Sequence, residues 1–366
     1  MLPLSLKSLQ IEFCEELTFL EDLSVSLLEL LKIAGCDYLK CISLDGALPE
    51  TLNQLELFYC KALETLSSSR NEYLPKALTS ICIFACQELK SIGESFDNST
   101  CLKNISLEAC ENLESLPSLH HLPCLESIKI YVCPKLSVRE GVPTSLRQLL
   151  INECEDDKGM GMLTSLKMLR FWDLPQLKSI SDLTNLTAFE KLDIISLSLL
   201  ESISDLNNLN SLKELLIENL PQLKSISDFT NLTSLGELYI KGLPQLELIP
   251  NLSGLTSLKR LQIEKLPQHE LIPNLSGLNS LTELSIKECQ KLKSIPSLSG
   301  LTSLKKLLIH YLPSLNQFQV SAASSPLKFW KSVISHSLNQ FQVSAASSLL
   351  EFCKSLLSHS LNQSKI

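Results

Sequence analysis

Three groups of residues have types and spacings that could carry chemistry. His120, His121 and Cys124 fall on one short stretch, and imidazole plus thiolate is a donor set that suits zinc. A fourth ligand is not evident and neighbouring imidazoles tend to diverge, so the expectation is a solvated turn with no metal. Cys82 and Cys86 have a C-x₃-C spacing. If Cys82 lies on a strand and Cys86 just past its end, one points out of the sheet and the other into the core, so they do not share an ion. His269 replaces an expected leucine and reads as a satisfied or rim-exposed histidine rather than a base. No G-x-S-x-G, H-E-x-x-H or G-x-x-x-x-G-K-[ST] occurs. The chain is therefore expected to be no enzyme, with no catalytic residue, no cofactor and no metal.

Composition narrows the class further. The 366 residues carry a formal charge of -8 and only 11 glycines, which argues against phosphate-cradling loops and a broad nucleic-acid footprint. No apolar run reaches the roughly 18 residues that span a bilayer, and the N-terminus lacks the basic-then-apolar form of a signal peptide. The expectation is a cytoplasmic protein with no membrane span. Its 13 cysteines are an odd number with no secretory signal, so free thiols are expected rather than a disulfide framework. Sequons such as Asn251-Leu-Ser and Asn274-Leu-Ser recur with the repeat and are weak grounds for secretion.

The 82 leucines hold the organisation that must position any site. A pattern L-x-x-L-x-[IL]-x-x-[CL]-x-x-L-x-x-[IL] starts at Leu6, Leu28, Leu52, Leu78, Leu102, Leu125 and Leu146, then at Leu166, Phe189, Leu212, Leu235, Leu258, Leu281 and Leu304. These are 14 units; the first seven are spaced by 20 to 26 residues, and from Leu166 onward every step is 23. Apolar residues at positions 1, 4 and 6 alternate as in a strand with one buried face. Proline after position 15, as at Pro117 and Pro250, ends pairing and turns the chain to the other side. The return segments, such as residues 251–258, are too short for an ordinary helix and read as irregular or 3₁₀ turns. Position 9 is Cys in eight units and Leu in six, which marks it as an inward packing slot rather than a site of thiol chemistry.

This skeleton resembles the leucine-rich repeat family over about residues 4–318. The resemblance implies an α/β solenoid, a horseshoe with a parallel sheet on its concave side and irregular or 3₁₀ structure on its convex side. A single unit cannot bury its leucines, so stacking supplies the core. The Cys-bearing units, such as SLKSLQIEFCEELTFL and TLNQLELFYCKALETL, resemble the C-terminal repeats of plant nucleotide-binding disease-resistance proteins. That implies recognition of pathogen proteins, or restraint of a nucleotide-driven switch, with a nucleotide-binding domain flanking these repeats in a longer protein. No P-loop is present, so nucleotide binding is not carried over. Cys154-Glu155-Asp156 has the C-x-D form of bacterial ubiquitin ligases attached to such repeats. In those ligases the motif sits in a separate helical domain, whereas Cys154 is a position-9 residue here. The leading expectation is a non-catalytic protein-recognition module for ligand or effector sensing in plant defence. The alternative is a substrate-recognition adaptor or bacterial effector linked to ubiquitin ligation.

Four segments follow from the spacing: repeats 1–7 with their cysteine ladder at 1–154, an irregular seam at 155–162, regular repeats at 163–318, and a duplicated tail at 319–366. The tail is expected to form helical caps over 325–338, or else decayed repeats. A protein partner is expected on the concave face, at positions 2, 3, 5, 7 and 8. Those 70 positions carry 16 basic and 15 acidic residues, so the face is near neutral. Eight of the 20 aromatics fall on it, and Phe58, Tyr59, Phe84, Tyr131 and Trp172 are predicted to form a discontinuous aromatic stripe that binds the partner.

Overall fold

Alternation at positions 3 to 7 produces the strands. In Gln54–Phe58, for instance, Leu55 and Leu57 are fully buried while Gln54, Glu56 and Phe58 face away from the core. The computed structural model describes residues 2–316, apart from 22, 44–47, 68–73, 94–95, 97–98, 137–142, 153–164, 181–182, 184–185, 187 and 205, together with 318–321 and 341–344. Cys154 and the seam lie outside these residues.

The chain divides into two compact units, residues 1–177 with 185–189, and residues 178–184 with 190–366. In the first, strands β1 (Ser8–Glu12), β2 (Leu30–Ala34), β3 (Gln54–Phe58), β4 (Ser80–Phe84), β5 (Asn104–Glu108), β6 (Ser127–Tyr131), β7 (Gln148–Asn152) and β8 (Met168–Trp172) pair in sequence order. In the second, β9 (Lys191–Ile195), β10 (Glu214–Glu218), β11 (Glu237–Lys241), β12 (Arg260–Glu264), β13 (Glu283–Lys287) and β14 (Lys306–His310) do the same. All pairings are parallel, and each strand meets its neighbour at the same repeat position, as in Leu31↔Leu55 and Leu238↔Leu261. Like side chains therefore stack in columns. Burying each leucine or isoleucine contributes roughly 1.5–3 kcal/mol, which a lone repeat could not collect.

The return path is irregular, as expected. It carries a 3₁₀ turn at Leu206–Asn208 and short parallel pairings such as Ser202–Ile203 with Ser225–Ile226. In the later repeats, Asn251 and Asn274 accept hydrogen bonds from the backbone N–H of Ser253 and Ser276, each at 3.0 Å. Glycine is required beside them, because a Cβ on Gly277 would stand 2.7 Å from the Ser253 carbonyl oxygen.

Position 8 adds a feature that the repeat pattern does not announce. Phe13, Tyr59, Ala85, Ala109, Val132, Asp173, Ser196, Asn219, Lys265, Glu288 and Tyr311 all have φ between 50° and 57°, and Gly35 and Gly242 occupy the same place. A left-handed residue costs roughly 1–2 kcal/mol when it carries a Cβ, and more strain falls on a β-branched one such as Val132. The geometry is kept hydrogen-bonded: the N–H of Tyr59 donates to Phe84 O at 2.9 Å and that of Ala109 to Tyr131 O at 2.9 Å. The turn brings the next residue, Cys or Leu at position 9, into the core.

In the tail, β15 (Phe318–Ser321) and β16 (Phe341–Ser344) pair in parallel with Phe318 opposite Phe341. The two copies thus meet in the register of their duplication. The helices expected over 325–338 fall outside the described residues.

Candidate functional site

The face of the first unit's sheet turned away from the core gathers the predicted aromatics unevenly. Phe58 and Phe84 are half-buried at position 7 of adjacent strands. Tyr59, exposed by the left-handed turn that follows β3, packs edge-on against Phe84 with ring centroids 5.0 Å apart and planes at 72°. The ammonium of Lys32 stands 5.9 Å from the Phe58 centroid, at the outer limit of a cation–π contact. These three rings form one cluster. Tyr131 lies two strands further on, beyond Glu108, and Trp172 two strands beyond that. Burial pushes the Tyr131 hydroxyl above its ordinary pKa, while the neighbouring Arg170, which is hydrogen-bonded to it, pulls the other way. Trp172 is 44% exposed at the end of β8. The stripe is discontinuous, in the order the repeat positions dictate.

Phe13 belongs with this group although it was not singled out above. It is 77% exposed, and its ring lies over Gly35 so closely that a Cβ there would stand 2.7 Å from a ring carbon. The signal was present in the sequence as an aromatic at position 8 followed by a glycine at position 8 of the next repeat.

Beside Tyr131, on the same face, a shallow polar basin of about 390 Å³ is lined by residues that include Asn104, Ser106, Ser127, Lys129, Arg147 and Gln148. Ser127 Oγ donates to Gln148 Oε1 at 2.9 Å, which turns the amide nitrogen toward Met168 Sδ, 3.3 Å away. Among the described residues, neither Lys129 nor Arg147 forms an ion pair.

The second unit's outward face is different. Lys191 pairs with Glu214 at 2.6 Å, Arg260 with Glu237 at 2.6 Å and with Glu283 at 3.4 Å, and Lys306 with Glu283 at 3.4 Å. Two outward rows further along the strands, Lys241 meets Glu218 at 3.5 Å and Lys287 meets Glu264 at 3.9 Å. Arg260 also holds the Tyr239 hydroxyl, and that hydrogen bond raises its pKa.

At position 9 the cysteines of repeats 2 to 6 stand in consecutive repeats and Cys289 sits between Leu266 and Leu312, whereas Cys14 in the first repeat is exposed rather than in the expected inward slot. Cys36, Cys60, Cys86, Cys110, Cys133 and Cys289 are buried, and each thiol lies 3.3–3.8 Å from the carbonyl oxygen two residues before it, at position 7. That carbonyl also accepts the N–H of position 8 in the preceding repeat, so the thiol uses its second lone pair. Burial pushes Cys289 up to about 11, and a hydrogen bond to Cys60 followed by burial pushes Cys86 up. Accepting from Cys86 and Cys133 lowers Cys60 and Cys110 respectively, but both remain inside the core. A thiol closed to solvent is a packing group rather than a nucleophile. Cys82 faces outward and Cys86 inward, on opposite faces of the sheet.

His120 and His121 do not diverge. Their ring centroids lie 3.7 Å apart with the planes tilted by 49°, and Ser118 Oγ is hydrogen-bonded to His120 Nδ1. Among the described residues, no group of three or more His, Cys, Asp or Glu is placed to hold a metal ion. His269 is 9% exposed, neither ring nitrogen has a partner among the described residues, and burial lowers its pKa.

No family model matches the chain. A disease resistance protein of Arabidopsis thaliana, RPP4, is 28% identical over 135 residues, which is 37% of this chain and 11% of that protein's length. Among solved structures, the functional domain of InlJ from Listeria monocytogenes, described as including a cysteine ladder, aligns with 84% of this chain and 70% of its own at 15% identity and a TM-score of 0.50. A leucine-rich repeat protein of Leptospira interrogans aligns with 84% of this chain and 89% of its own at 19% identity and a TM-score of 0.49. Among the described residues no helix is long and apolar enough to cross a membrane. With one parallel strand per repeat, leucine columns at positions 1, 4 and 6, and an irregular return, the chain has the fold of the leucine-rich repeat proteins.

Proposed function

We propose that this chain is a non-catalytic protein-recognition module, working in ligand or effector sensing within intracellular plant defence. The observation that carries the reading is the row of partly exposed rings at Phe58, Tyr59, Phe84, Tyr131 and Trp172 on a rigid sheet face. Such rings bury large area on binding at little entropic cost, and a fixed backbone spares the partner the cost of ordering a loop. The fold supports a role in protein interaction, and the short stretch of similarity to RPP4 supports the defence context.

The test is proximity labelling in leaf tissue with the chain as bait, alongside F58A/Y131A/W172A. The triple variant removes no core side chain, so its melting curve should match the parent. Proteins labelled by the parent should be lost with the variant, and purified partners should bind it at least about tenfold more weakly, as expected for aromatic hot spots. An unchanged labelled set and unchanged affinity in the folded variant would overturn the reading.

A further inference from the structure

The basin between β5 and β7 holds two cations, Lys129 and Arg147, that form no ion pair among the described residues. Opposite charges at position 2 of adjacent repeats pair in places, as Lys7 does with Glu29 at 2.8 Å and Lys213 with Glu190 at 2.9 Å, whereas Lys103 and Glu126 do not. Glu126 and Arg147 stand in the same relation, at position 2 of adjacent repeats, and do not pair. Lys129, at position 5, has Ser106 and Leu150 as its strand neighbours and so has no carboxylate beside it in the sheet.

The remaining lining is rich in donors. The Gln148 amide nitrogen is aimed at a thioether sulfur, a weak acceptor, so its hydrogen-bonding capacity is largely unspent. Asn104 and the Ser106 hydroxyl lie on the neighbouring strand. Lys129 and Arg147 are offset by three residues along the strand direction and one strand across, roughly 10 Å by 5 Å. They can grip successive acidic side chains of an extended segment. Arg147 is exposed, and its planar guanidinium suits a carboxylate bidentately. Glu126, also lining the basin, opposes a densely charged polyanion while leaving room for spaced carboxylates. Tyr131 follows Lys129 by two residues on the same outward face of β6, and Trp172 holds the same repeat position two strands further on.

We infer that this basin docks an acidic segment of a protein partner, whose carboxylates seat on Lys129 and Arg147 while its apolar side chains meet Tyr131 and Trp172. The inference rests on the recognition reading above and names the chemistry of the partner.

The experiment uses the full chain and a labelled peptide of about 12 alternating Glu and Leu residues, long enough to cross several strands. Its counterpart with Gln for Glu and an oligonucleotide of equal length serve as comparisons, all read by fluorescence anisotropy. The Glu peptide should bind at least about tenfold tighter than the Gln peptide, with affinity falling as salt rises. K129E/R147E should remove that preference and bind a Lys–Leu peptide instead, whereas K259E in the second unit should change nothing. Equal binding of Glu and Gln peptides, tighter binding of the oligonucleotide, or a K129E/R147E variant that folds and keeps the Glu preference each overturns the inference. The two failures separate cleanly. Loss of labelled partners in F58A/Y131A/W172A without any acidic preference leaves the recognition reading standing and sinks only this one.

Discussion

Position 7 holds Phe58, Phe84, Tyr131 and Trp172 in the first unit, and Glu218, Lys241, Glu264 and Lys287 in the second. The strands beneath are alike in length, register and burial, so the difference lies in how each surface satisfies itself. The second unit closes its charges on one another across neighbouring strands. Each exposed pair contributes at most about 1 kcal/mol, yet together they leave few unmet charges for a partner. Among its described residues, the first unit leaves rings half-covered and several cations, Lys129 and Arg147 among them, without an ion pair. One scaffold thus carries a self-satisfied face and an open one, and recognition is expected from the second kind.

The largest test of this contrast strikes the core at position 9. Leu220→Ala should cost about 2–5 kcal/mol, because it opens a cavity in a leucine column. Cys110→Ala removes less volume and one weak S–H contact, and should cost about 1 kcal/mol. Urea midpoints of the two variants measure the gap. Equal losses would mean that the cysteine ladder is held as tightly as the leucine one.

A smaller effect, confined to acid, is expected at His269, which breaks the second unit's leucine column at position 12. Its folded pKa lies below the ordinary imidazole value because burial disfavours the cation. The unfolded chain therefore binds the proton more readily. Stability from this group is complete above the ordinary range near pH 6.5 and is lost as pH falls from there through the lowered folded value. The melting temperature of the parent should drop between pH 7 and pH 5 more than that of His269→Leu. Parallel curves would show that the ring finds a partner on protonation.

The smallest effect separates the two faces directly. Arg260→Ala breaks contacts to Glu237 and Glu283 and should cost about 0.5–1 kcal/mol at low ionic strength. Most of that loss should vanish at about 1 M salt, where the screening length is about 3 Å. Lys129→Ala should leave the melting temperature unchanged in both. A matching loss at Lys129 would mean that its charge is already engaged within the chain.

The strands, their register and the inward columns were legible in the sequence, because leucine at fixed intervals has one packing solution when repeats stack. The outward positions of Phe58, Tyr59 and Phe84 followed from the same count. The left-handed turn was not legible: Phe13, Val132, Lys265 and Glu288 share no property that asks for positive φ, and only Gly35 and Gly242 hint at it. It is imposed by the need to leave the sheet and re-enter the core within two residues. The idle state of Arg147 was hidden for a related reason. Its neighbour Glu126 looks like a partner on the linear pattern, and only side-chain placement shows the pair unmade. The close approach of the His120 and His121 rings likewise depends on a turn geometry that spacing alone does not fix.

The left-handed turn also decides how this surface can change over generations. Because the demand at position 8 falls on the backbone, it selects no one side chain, and phenylalanine, glycine, alanine, valine, aspartate, asparagine and lysine all occupy it. Outside Gly35, where the Phe13 ring fills the space, such a slot can be rewritten by a single codon change without touching a buried column. A row of such slots lets the surface explore new partners one letter at a time while the leucine scaffold stays under its own, separate selection.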